Sequence, residues 1–141
     1  MFSHVDHVGL CVQDMDKAIA FYGDVIGMEK VIDRDYEMGR LIGVEGATAR
    51  VVHMKFGESM VELFQYHHPE GRGPRPDGRQ RDCGLIHIGF IVEDFQSTPQ
   101  HLLDRGVEFL GEAVEVRPDV WVAYFRGCEG EVCEIREIGK S

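Results

Sequence analysis

The chain repeats itself at a distance of eighty residues, and that repeat constrains its fold more than any other feature. Residues 4–12 read HVDHVGLCV and residues 85–92 read LIHIGFIV. At this offset His7 coincides with His87, Gly9 with Gly89, Val12 with Val92, Asp14 with Asp94 and Asp24 with Asp104. A chain that carries the same pattern twice at this distance is built from a duplicated supersecondary unit.

Each copy continues in the same order. The first opens with a predicted strand over 5–12, then the polar stretch Gln13-Asp14-Met15-Asp16, whose aspartates suit a helix N-cap. Ala18, Ile19, Phe21, Tyr22, Val25 and Ile26 follow at helical spacing, and Gly27 suits the helix end. Runs at 29–33, 49–56 and 59–66 read as strands, the last two joined by a tight turn at Gly57-Glu58. The second copy gives a strand over 85–92, a helix start at Ser97-Thr98-Pro99 and a helix over 100–105 stopped by Gly106. Strands are predicted over 107–110, 120–126 and 132–138. Both copies are βαβββ units, so the expected class is α+β. At 141 residues the chain suits one domain, with module one at about 1–66, a linker at 67–84 and module two at about 85–139. The linker, HHPEGRGPRPDGRQRDCG, reads as loop from its Pro, Gly and Arg content.

Side chains alternate across a strand, so parity sorts each run into faces. Val8, Leu10 and Val12 form an apolar face, which leaves His7, Gly9 and Cys11 opposite. Ile86, Ile88, Phe90 and Val92 do the same, leaving His87 and Gly89 opposite. Glu62 lies across the strand from Val61 and Leu63, and Glu134 across from Cys133 and Ile135. Each unit thus supplies one histidine from its first strand and one glutamate from its last. Two imidazoles and two carboxylates suit a borderline divalent ion such as Zn, Ni, Co, Mn or Fe. Two carboxylates brought together without a cation would force one to take a proton. His7, Glu62, His87 and Glu134 are therefore the expected metal ligands.

Composition narrows the partners. Twenty-five acidic residues against 15 basic give a formal charge of −10, which disfavours nucleic acid and anionic membrane surfaces. No apolar run approaches a membrane span and the start lacks a signal-peptide pattern, so a cytoplasmic location is expected. Cys11, Cys83, Cys128 and Cys133 show no CxxC spacing; Cys11 and Cys133, inside strand-like runs, are expected to be buried as small hydrophobes. The linker arginines Arg72, Arg75, Arg79 and Arg81 are offset by Glu70, Asp77 and Asp82, which favours a solvated loop. His67 and His68 are expected beyond the strand end. Phe64, Tyr66 and Tyr124 are possible cavity walls, Trp121 an apolar anchor, and His53 an accessory proton-transfer group ranked below the four ligands.

The segments DHVGLCVQDMDKAIAFYGDVIGM (6–28), VELFQY (61–66), HIGFIVEDF (87–95) and GCEGEVCEIREI (127–138) resemble the vicinal-oxygen-chelate superfamily of glyoxalases, bleomycin-resistance proteins and extradiol dioxygenases. The resemblance spans almost the whole chain. It implies paired βαβββ modules that form a cup-shaped mixed sheet around a metal site, with His7, Glu62, His87 and Glu134 at the ligand positions, as in metallo-glyoxalases. It implies a divalent-metal-dependent lyase or isomerase acting on a small α-oxygenated carbonyl compound or its thiol adduct through a metal-stabilised enediolate. Glu62 or Glu134 would serve as the base. The alternatives are an Fe(II)-dependent dioxygenase and a non-catalytic small-molecule binding or resistance protein. A homodimer is the assembly that the resemblance implies.

Overall fold

The computed structural model describes residues 1–73 and 80–138. The chain falls into two compact units, residues 1–73 and 74–141. Each unit carries one mixed four-stranded sheet with a helix in its first crossover, an α+β architecture.

In the first unit the strands are β1 (His7–Cys11), β2 (Glu29–Glu37), β3 (Thr48–Phe56) and β4 (Ser59–His68), in the spatial order β1-β4-β3-β2. The first and last strands run parallel, so the connection between them carries α1 (Met15–Ala20), continued by a π-helical turn over Phe21–Val25. Asp14 caps α1 as its type suggests, accepting a hydrogen bond from the Lys17 amide at 3.0 Å. Gly27 ends the helical segment at φ 95°, a conformation that costs glycine little. Met15, Ala18 and Tyr22 form the buried stripe, and the helix packs on β4, where Val61 and Leu63 are buried. Full burial of Met15 or Tyr22 contributes about 2 kcal/mol each. Gln65 ties the helix start to the sheet: its Oε1 accepts from the Met15 amide at 3.2 Å and its Nε2 donates to the Gln13 carbonyl at 2.9 Å. Those bonds satisfy polar groups that a helix start leaves open.

β3 and β4 form the expected two-residue hairpin, Phe56 pairing with Ser59. β2 is longer than the predicted 29–33, and the short helix α2 (Gly39–Ile42) follows it with no sequence signal to mark it. β4 runs on to His68, so His67 and His68 are strand residues and not loop residues; His67 Nε2 pairs with Asp35 Oδ1 at 2.8 Å.

In the second unit the strands are β5 (Ile88–Ile91), β6 (Val114–Arg117), β7 (Val120–Arg126) and β8 (Val132–Arg136), in the order β5-β8-β7-β6. Helix α3 (Thr98–Asp104) sits in the equivalent crossover. Asp94 again marks its start, accepting from the amides of Gln96 and Ser97 at 3.0 and 3.3 Å. Residues 107–110 are not the predicted strand. Only Phe109 bridges to Phe125, and the ladder on that edge of β7 begins at Val114, after the bend that includes Gly111. Leu102, Phe125, Cys133 and Ile135 are buried in this unit. Cys11, expected to be buried, is exposed instead; Cys133 is fully buried. Trp121 is partly exposed and packs at a tilt on Phe95, ring centres 6.2 Å apart. Among the described residues no helix is long and apolar enough to cross a membrane.

Candidate metal half-sites

In the first unit the two ladders that flank β4 place three strands' side chains around one carboxylate. Gly9 of β1 and His53 of β3 both stand opposite Glu62. His7, two residues before Gly9 and on the same face, brings its Nε2 to 3.1 Å from Glu62 Oε2. His53 Nε2 lies 3.6 Å from Glu62 Oε1. The other ring nitrogen of His7, Nδ1, is 2.8 Å from Asp6 Oδ2. Asp6 is an acceptor, so Nδ1 carries the hydrogen and the neutral ring presents its Nε2 lone pair to Glu62. The hydrogen bond to Asp6 raises the His7 pKa, burial opposes it, and the charges of Glu62 and Asp6 add to the rise.

The second unit repeats the arrangement with different neighbours. His87 precedes β5, and Gly89 of β5 and Tyr124 of β7 stand opposite Glu134. His87 Nε2 lies 3.3 Å from Glu134 Oε2. His87 Nδ1 meets Gln80 Oε1 at 3.3 Å, while Gln80 Nε2 donates to the Ile86 carbonyl at 2.9 Å. The Gln80 amide is thereby oriented so that its oxygen accepts from His87, and Nε2 of the neutral ring again holds a lone pair against a carboxylate. Glu134 is 8% exposed, the one charged residue in the buried class among the described residues.

Each unit therefore opposes an imidazole nitrogen to a carboxylate oxygen at about hydrogen-bond distance. Two acceptors face each other favourably only with a proton or a cation between them. The donor set fits a divalent ion: separations of 3.1 and 3.3 Å suit neighbouring ligands, each roughly 2.1 Å from one metal. The backing of each histidine by Asp6 or Gln80 is the support that metal-bound imidazoles commonly have. Among the described residues no group of three or more His, Cys, Asp or Glu is gathered as a complete metal shell; the second unit presents a pair, and the first a pair with His53 at 3.6 Å from the same glutamate.

The histidines and glutamates singled out from the sequence are thus brought together two by two. Tyr124, expected as a cavity wall, lies against the second pair. Phe64 and Tyr66 stack on each other, ring centres 6.4 Å apart, and pack against the buried cluster of Met38, Ala47, Ala49 and Val51, on the same face of β4 as Glu62. Asp6 and Gln80 were missed. Asp6 adjoins His7, so its reach to Nδ1 was open to a local argument, whereas nothing in the linker pattern marks Gln80. Arg72 and Arg81 are exposed; Arg75, Asp77 and Arg79 lie outside the described residues.

Comparison with known proteins agrees with the topology. The family model described as the Glyoxalase/Bleomycin resistance protein/Dioxygenase superfamily matches residues 4–129. A 2-epi-5-epi-valiolone epimerase of Actinomyces is 33% identical over 77% of the chain, which spans 62% of that protein's length. A probable lactoylglutathione lyase of Synechocystis is 31% identical, covering 75% of this chain and 72% of its own. The crystal structure of a glyoxalase family protein from Bacillus cereus superposes with a TM-score of 0.88 at 25% identity, covering 97% of this chain and 95% of that one.

Proposed function

The chain belongs to the Glyoxalase/Bleomycin resistance protein/Dioxygenase superfamily, and from that premise we propose that it is a divalent-metal-dependent lyase or isomerase of the glyoxalase type. Its substrate is a small carbonyl compound with an oxygen on the adjacent carbon, or the thiol adduct of one. His7 and Glu62 of the first unit and His87 and Glu134 of the second are the proposed ligands, drawn from one chain or from two copies in a homodimer. The same reading makes the protein cytoplasmic. The observation that carries it is the twice-repeated confrontation of a histidine Nε2 with a glutamate oxygen while Nδ1 is committed elsewhere.

A divalent ion bound there supplies Lewis acidity toward the substrate carbonyl. The remaining chemistry falls to the chain. A glutamate carboxylate, Glu62 or Glu134, takes the proton from the carbon beside the carbonyl. Epimerisation needs the other glutamate, protonated, to supply a proton to the opposite face of the same carbon; return of the proton by the first glutamate to the neighbouring carbon, as the adjacent hydroxyl gives up its own, moves the carbonyl. Relatives that carry epimerase and lyase names are consistent with either outcome. Asp6 and Gln80 keep the imidazoles in the tautomer that leaves Nε2 unprotonated.

The test is elemental analysis of the purified protein, then α-proton exchange in deuterated water with hemithioacetals and acyl-CoA epimers, and oxygen uptake with catechols. The expected result is one class of divalent metal, exchange at the carbon beside a carbonyl, and loss of both in the paired variant His7→Ala/His87→Ala. Metal retained at wild-type level in that variant would sink the ligand assignment; oxygen uptake with iron in place of exchange would sink the reaction class.

A further inference from the structure

The two half-sites match in their histidine, glycine and glutamate and differ at one station. Opposite Glu62 on the neighbouring antiparallel strand stands His53; opposite Glu134 stands Tyr124. His53 Nε2 remains 3.6 Å from its glutamate. Tyr124 engages both members of its pair. Its hydroxyl hydrogen-bonds the Glu134 carboxylate, and its ring meets the His87 imidazole edge to face, centres 5.2 Å apart at 62°.

A neutral phenol can only donate to a carboxylate, so this contact has one polarity. Glu134 is then engaged on two sides, by His87 at Oε2 and by the Tyr124 hydroxyl, while Gly89 leaves the space beside Oε1 open.

We propose that Tyr124 is a positioning residue for the second half-site, its hydroxyl turning the Glu134 carboxylate toward His87 while its ring holds the imidazole in place. The pair then meets a metal already oriented, and the rotamer freedom that would otherwise be lost on binding is lost on folding. In module one the same station holds His53 in place of a phenol, its Nε2 3.6 Å from Glu62 Oε1. This inference rests on the metal-site reading above.

The test is titration of the metal-free protein with Co(II), followed by its visible absorption, for wild type, Tyr124→Phe, Tyr124→Leu and His87→Ala. Tyr124→Phe keeps the ring and removes the hydroxyl; it is expected to weaken Co(II) binding roughly tenfold and to shift the absorption bands, with little change in melting temperature. Tyr124→Leu, which also removes the ring from His87, is expected to weaken binding further. If Tyr124→Phe binds Co(II) with wild-type affinity and spectrum while His87→Ala loses it, the positioning role is wrong and the metal site stands. If wild type takes up no Co(II), or His87→Ala binds as wild type does, the metal-site reading fails and the inference with it.

Discussion

Gly89 stands directly across the parallel β5–β8 ladder from Glu134, and a β-carbon at Gly89 would come within 3.8 Å of Glu134 Oε1. Gly9 holds the same station opposite Glu62. A β-carbon at Gly9 would instead meet the Phe64 ring at 3.7 Å, so only in the second unit does the glycine border the glutamate. An added methyl at Gly89 makes an ordinary contact, whereas a branched side chain would push into the carboxylate. Gly89→Ala is therefore expected to retain metal within about twofold of wild type, and Gly89→Val to weaken it at least about tenfold, the scale seen when support of a ligand is lost. Calorimetric metal titration of the two variants checks this; equal losses in both would show that the space beside Glu134 does not matter.

Asp33 and Arg50 join β2 to β3 through a two-point contact, Arg50 Nε donating to Oδ1 at 2.8 Å and Nη2 to Oδ2 at 2.9 Å. Hydrogen bonding by Arg50, with help from Lys30, holds the Asp33 carboxyl down at about 2 against an ordinary 3.8. The folded pKa is the lower one, so the pair stabilises the fold above the unfolded value and that contribution fades as pH falls toward 2. Both side chains keep about a quarter of their surface in solvent, which screens the interaction. Asp33→Asn is expected to cost about 1 kcal/mol at pH 7. Urea unfolding of both proteins at pH 7 and pH 2 should show the gap close at low pH; a gap of constant size would assign the loss to something other than charge.

Cys128 and Cys83 are expected to react at very different rates. Burial, with the charges of Glu131 and Glu129, pushes the Cys128 thiol up to about 12, and its Sγ donates to Glu131 Oε1 at 3.7 Å. At pH 8 the thiolate fraction there is about one in ten thousand, and the thiolate is the nucleophile. Cys83 is exposed. A time course with iodoacetamide read by peptide mass spectrometry should label Cys83 well before Cys128. Early labelling of Cys128 would mean that its loop does not hold Glu131 against it.

Much of the architecture was legible because it is local. The Asp14 cap, the turn that Asp94 closes before α3, the helix stops at Gly27 and Gly106 and the Gly57-Glu58 hairpin depend on neighbours a few residues away. The structure has each of them. Residues 107–110 misled because their apolar pattern resembles a strand, while Val114–Arg117, exposed at every position, lacks the buried face that makes a strand visible. The helix α2 also has little to mark it, with no side-chain cap at its start and no buried residue along it.

The sequence by itself determined the duplication, the order of elements in each unit and the face on which His7, Glu62, His87 and Glu134 stand, because strand alternation is a property of the chain's own geometry. What only the tertiary structure decided was the register between strands. Register sets Gly9 and Gly89 beside the glutamates, His53 against Glu62 and Tyr124 against Glu134, and it depends on contacts between residues up to tens of positions apart. Asp6 on His7 and Gln80 on His87 belong to the same level: a hydrogen bond's partner is chosen by where the folded backbone leaves an acceptor, and alternation does not encode that.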